Sequence, residues 1–164
     1  MKMKYASFAL PAAAAIFLMG RMTAENKVEI RPQTAENLSS AMHGEAFAFA
    51  KYMLYAEHAR KSGNEPLADL FARSAHSERF EHFAEEAKLA GLVGSDEDNL
   101  RDAIRGESWE FNHMYPDFAG KAKQVGDVAA QNRFLEILAD EGRHRDAFQA
   151  ALNELQSKPA SSGD

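Results

Sequence analysis

ENLSSAMHGEAFAF, residues 36–49, returns as DNLRDAIRGESWEF at residues 98–111, an offset of 62. Asn37-Leu38 falls on Asn99-Leu100, Ala41 on Ala103, and Gly44-Glu45 on Gly106-Glu107. Apolar residues recur at three-and-four spacing with Ala, Leu, Glu and Lys between them, which is the pattern of a helix. Beyond Gly63 and Gly126 the offset becomes 63, so that Phe71 matches Phe134, Glu78 matches Glu141 and Glu81 matches His144. The chain therefore reads as two similar helix pairs.

Boundary signals agree. Thr34 is placed to cap the first helix, with Gly63 ending it, and NEP at 64–66 starts the second with Pro66 in its first turn. Gly91 and Gly94 close the second helix, and SDED at 95–98 opens the third. Pro116 is expected to kink or break that third helix. Gly126 and Asp127 precede a fourth, running to about Leu155. Four long helices with short connections predict an all-α, antiparallel four-helix bundle over 34–155.

At 164 residues, 45% hydrophobic and 27% charged, the chain has the size and composition of one ordinary globular domain. A net charge of −6 argues against a nucleic-acid partner, which would need a basic face. The absence of cysteine excludes disulfides, thiolate zinc sites, Fe–S clusters and thiol catalysis from these residues. Residues 1–30 stand apart: two lysines, an apolar run from Tyr5 to Gly20, then Arg21. This is the layout of a secretory signal or short anchor, unless translation starts at Met22. The first case predicts an exported or anchored protein, the second a cytoplasmic one. SKPASSGD at the other end makes 156–164 a disordered tail.

Residues three apart on a helix share a face. Glu78/Glu81, Glu107/Glu110 and Glu141/His144 are such pairs on the second, third and fourth helices, and the first contributes Glu45. Directed at one centre they are six carboxylates and an imidazole, more charge than an apolar core tolerates unpaired. Two bridged divalent or trivalent cations would balance most of it. This donor set suits iron or manganese better than zinc or copper. Any single pair is more simply a solvated helix face; four helices carrying such groups at repeat-related positions are not. His43 points away from Glu45, His113 lies off the Glu107 face, and His58 and His76 read as surface residues. Trp109 reads as packing.

GEAFAFAKY, GESWEFNHMYPDFA and ADEGRHRDAF resemble the diiron four-helix domain of rubrerythrins, within the ferritin-like superfamily. The resemblance covers about 34–155. It implies Glu45, Glu78, Glu107 and Glu141 as carboxylate ligands, completed by Glu110 and His144, with Tyr52 and Tyr115 beside the metals. The family pattern also places E-x-x-H on the second helix. Here Glu81 holds that position and His82 follows it. The repeat favours Glu81 as the ligand, with His82 as its neighbour. The four-cysteine rubredoxin module of many members has no cysteines here to build it, so electrons are expected from a separate donor protein or a small reductant.

The implied function is a two-iron oxidoreductase, with manganese or a mixed pair as the other metal readings, that reduces hydrogen peroxide or reacts with dioxygen. Ferritin-like iron oxidation and sequestration is the alternative, and an inactive helical bundle a third reading. The resemblance also implies a homodimer.

Overall fold

Pro32 begins the first helix, two residues ahead of the expected Thr34 cap, because a proline at the first helical position gives up no intrahelical hydrogen bond. The computed structural model describes residues 30–157, so the N-terminal segment and most of the expected tail lie outside the described residues. Helix α1 (Pro32–Lys61) is about 45 Å long at 1.5 Å per residue. It ends at Gly63, whose φ of 76° is the left-handed conformation that glycine adopts without steric cost. Asn64 then caps α2 (Glu65–Ser77), its side-chain oxygen accepting from Leu67 N–H at 3.2 Å. A π turn at Glu78–His82 joins α2 to α3 (Phe83–Ala90) without breaking the rod.

The second half repeats this plan. Ser95 caps α4 (Asp96–Trp109), accepting from Asp98 N–H at 3.1 Å. A second π turn, Glu110–Met114, leads into α5 (Tyr115–Val125). Pro116 therefore does not break the helix: the wide turn just before it accommodates the ring and the missing N–H. Helix α6 (Val128–Ser157) follows, reaching two residues into the stretch read as a tail, with Gln156 donating to Glu97 at 2.8 Å.

The described residues are all helical apart from short connections, in two pseudo-repeated antiparallel pairs, the helix complement of a ferritin-like four-helix bundle. Helix α1 packs on α2, the first π turn and α3, while α6 packs on α4, the second π turn and α5. Among the described residues, no element of the first pair touches any element of the second. Within the first pair Ala56, Ala59, Ala68 and Ala75 are at most 1% exposed, small residues that let the helix backbones approach closely. No large side chain among the described residues is fully buried, and Phe47, Leu54, Phe80 and Trp109 are largely solvent-exposed. Each pair is thus a hairpin with an unburied apolar face.

The repeat is also visible in side-chain packing. Tyr52, Tyr55 and Phe71 form an aromatic triad matched by Tyr115, Phe118 and Phe134, each residue 63 from its counterpart. Ring centroids stand 6.2 Å apart for Tyr52–Phe71 and 6.3 Å for Tyr115–Phe134. Glu45 and Glu107 are only 62 apart, so the offset changes before the glycine turn, across the second π turn, which adds one residue.

Candidate metal centre

The two π turns position the site. In the first, Phe83 N–H bonds back five residues to the Glu78 carbonyl; in the second, Tyr115 N–H bonds to the Glu110 carbonyl. A π turn advances each residue by less than the ~100° of an α-helix. A residue four along therefore falls nearly over the first, and a residue three along falls short of it. His82 is thereby brought over Glu78, and Glu81 is turned to solvent.

This corrects the expectation that Glu81 joins Glu78 with His82 as a bystander. The first π turn adds one residue to the first half, so the offset of 63 at Glu78/Glu141 returns to 62 and His82, not Glu81, corresponds to His144.

Two matching groups result. Glu45 from α1 meets Glu78 and His82, and Glu107 from α4 meets Glu141 and His144, with the donor atoms of each group within 4.8 Å of one another. His82 Nδ1 is 2.9 Å from Glu78 Oε2 and 3.7 Å from Glu45 Oε2. His144 Nδ1 is 2.9 Å from Glu141 Oε2 and 3.8 Å from Glu107 Oε2. Helix α6 reaches this geometry with an ordinary i,i+3 pair, the second helix of the first hairpin with i,i+4 on a π turn.

Crowding of like charges governs the titration. A hydrogen bond to Glu78, then burial, then repulsion from Glu78 raise the Glu45 carboxyl above its ordinary value. Burial raises Glu107, reinforced by a hydrogen bond to Glu141 and by its charge. Glu110 is raised by burial and by Glu141; it stands beside the second group without joining its tight cluster. The hydrogen bond to Glu78 raises His82. A bound cation would offset this repulsion between neighbouring carboxylates. Carboxylate oxygens and one imidazole nitrogen in each group are a donor set that fits iron or manganese.

Glu141 is the buried charged residue among those described, at 9% exposure. The adjoining Gly142 is buried under Phe111 of the second π turn: a Cβ there would lie 2.9 Å from that ring. The bare backbone at Gly142 is what lets the π turn carrying Glu110 lie close to the helix carrying Glu141 and His144.

Tyr115 is pushed up by burial and by the charges of Glu110, Glu141 and Glu107, which places its hydroxyl in the field of the second group. Tyr52 occupies the equivalent place in the first aromatic triad. Of the other histidines, His43 is tied to its own helix through Ser39 O at 2.6 Å, and His76 stacks on Phe80 at 4.7 Å. Neither His58 nor His113 joins a donor group.

Sequence reasoning missed Glu86. It lies one turn beyond His82, its charge raises Glu45, and its Oε2 is buried without a hydrogen-bond partner among the described residues. Its i,i+4 spacing from His82 was the available signal, hidden among the acidic residues of that helix.

The rubrerythrin family profile matches residues 36–152. Rubrerythrin from Porphyromonas gingivalis is 32% identical over 148 residues, spanning 83% of this chain and 74% of that protein. Nigerythrin from Nitratidesulfovibrio vulgaris is 32% identical over 149 residues, spanning 83% and 73%. A solved structure of nigerythrin in a fully reduced, all-ferrous state is 31% identical, with a TM-score of 0.40 over 84% of this chain and 74% of that one. With two matching carboxylate–imidazole groups on repeated helices and a family match across both hairpins, this chain belongs to the rubrerythrin family.

Proposed function

We propose that the protein is a diiron oxidoreductase that reduces hydrogen peroxide with electrons from a separate donor protein. The observation that carries this reading is the pair of matched donor groups, Glu45/Glu78/His82 and Glu107/Glu141/His144. Together they offer four carboxylates and two imidazoles. Iron is favoured by that balance of hard oxygen and borderline nitrogen donors, with manganese as the nearest substitute. The chemistry a bound metal pair supplies is two-electron transfer to an O–O bond.

The chain's own residues hold the donors and supply protons. Reducing hydrogen peroxide to two waters consumes two electrons and two protons. Glu110, its carboxyl raised by burial and by Glu141, holds a proton beside the second group at a higher pH than an ordinary glutamate would. Tyr115 keeps its phenolic proton in the field of three carboxylates, where its role would be to hydrogen-bond a ligand oxygen. The Nδ1 of each histidine is oriented by its neighbouring carboxylates, which fixes ring rotation before any metal binds.

The test is to load the full chain with iron, measure metal per chain, reduce it anaerobically and titrate with hydrogen peroxide. Two irons per chain with rapid, stoichiometric reoxidation by peroxide is the expected result. Slow reaction with peroxide and fast reaction with dioxygen would move the assignment to iron oxidation. No bound metal would overturn it.

A further inference from the structure

We infer that Glu86 is a further metal-binding carboxylate of the first group, a fourth donor beside Glu45, Glu78 and His82. The inference rests on the reading of the two donor groups as a dimetal centre, and deepens it by adding a residue that the internal repeat does not supply.

The offset of 62 that places His82 on His144 places Glu86 on Phe148. A position that is aromatic in the second hairpin is thus a carboxylate in the first. The offset of 62 between Glu45 and Glu107 likewise places Glu110 on Ala48. Each half therefore carries three matched donors and one glutamate without a counterpart, Glu86 in the first and Glu110 in the second.

The surroundings of Glu86 call for a cation. Exposed carboxylates on the outer faces find one on their own helix: Glu57 pairs with Lys61, Glu97 with Arg101 and Asp117 with Lys121, each four residues on. Glu86 is less exposed than these, and its Oε2 is buried with no hydrogen-bond partner among the described residues. An oxygen stripped of water and given nothing in exchange is costly unless a donor or an ion takes it up. His82 stands four residues before Glu86, so the two share a helix face. Across the contact between α1 and α3, the charge of Glu86 bears on Glu45, and the two carboxylates repel unless a cation offsets them.

The charge balance points the same way. With Glu81 turned to solvent, Glu45, Glu78, Glu107, Glu110 and Glu141 are five carboxylates, and Glu86 brings the set to six. Six negative charges match two trivalent ions, whereas five leave an oxidised pair one positive charge in excess.

The test compares the full chain with Glu86→Gln, Glu86→Leu and, as a control, Glu85→Gln at the exposed neighbouring position. Ferrous iron alone is added anaerobically, and its affinity is read by chelator competition. Glu86→Gln should weaken one of the two irons by about ten-fold or more, and Glu85→Gln should weaken neither. A second readout is the melting temperature with and without iron. Glu86→Leu should melt above the wild type when both are metal-free, because an apolar side chain replaces an unpartnered carboxylate, and below it when both are loaded. A packing role alone would move both melting temperatures in the same direction. Wild-type affinity for both irons in Glu86→Gln, or melting temperatures that shift together in Glu86→Leu, would overturn the inference and leave the diiron reading standing. A wild type that binds no iron would overturn the proposed function, and this inference with it.

Discussion

Deleting Glu81 turns ERFEH at 78–82 into ERFH, the same spacing as EGRH at 141–144. If the π turn is one inserted residue, its removal returns this segment to α-helix and keeps His82 over Glu78, now as an i,i+3 pair like Glu141 and His144. Helix α3 keeps its register, so Ala87 stays buried. The wide turn forgoes one i→i−4 backbone bond, worth about 1 kcal/mol net when recovered. For a domain of this size that raises the apo melting temperature by about 4 °C. Far-UV circular dichroism during heating measures this, and metal analysis after dialysis against graded chelator measures retention. The deletion and Glu81→Ala should both keep two metals per chain at affinities near wild type. His82→Ala should lose roughly ten-fold or more, since even groups that only orient a ligand are worth ~10–100-fold. Loss of metal on deleting or truncating Glu81, with His82→Ala unaffected, would refute the argument and restore Glu81 as the ligand.

Glu141→Gln should abolish the metal pair while bringing the Glu107 carboxyl part of the way back toward its ordinary range, readable by carboxyl NMR titration, because burial, the leading cause, stays while the charge of Glu141 is removed. Gly142→Ala should destabilise the protein by about 1 kcal/mol in denaturant unfolding: the helix gains ~1 kcal/mol from alanine but overpacking costs ~1–3. Adding Phe111→Leu should recover part of that loss, since Phe111 is what the new methyl meets. The raised Glu45, Glu107 and Glu110 bind protons more tightly folded than unfolded, so their contribution is fully present below the ordinary 4.5 and is lost as pH rises through their folded values. His82, also raised, acts in the same direction from 6.5 upward. The apo protein should therefore melt at lower temperature as pH rises from 4.5 to neutrality, and bound metal should flatten that slope.

Helix content, the two-fold repeat, the glycine stops and most of the donor residues were legible in the sequence. Each depends on local chemistry: periodicity makes helices, left-handed glycines end them, and glutamates amid Ala and Phe mark positions that need a counter-charge. Glu45, Glu78, Glu107, Glu141 and His144 were named as candidates from the sequence, and each lies in one of the two tight groups.

The partner of Glu78 was not legible. A single added residue leaves the apolar spacing on either side intact, so counting at a constant offset put Glu81 where His82 belongs; only the backbone bonding of the π turn decides between them. Glu86 escaped for a related reason, because its burial depends on how α3 lies against α1. The separation of the hairpins is likewise a tertiary property. Apolar spacing marks these faces without saying what covers them, and the turn hydrogen bonds that Asn99 and the left-handed Gly91 make at the two ends of the five-residue connection appear only in the structure.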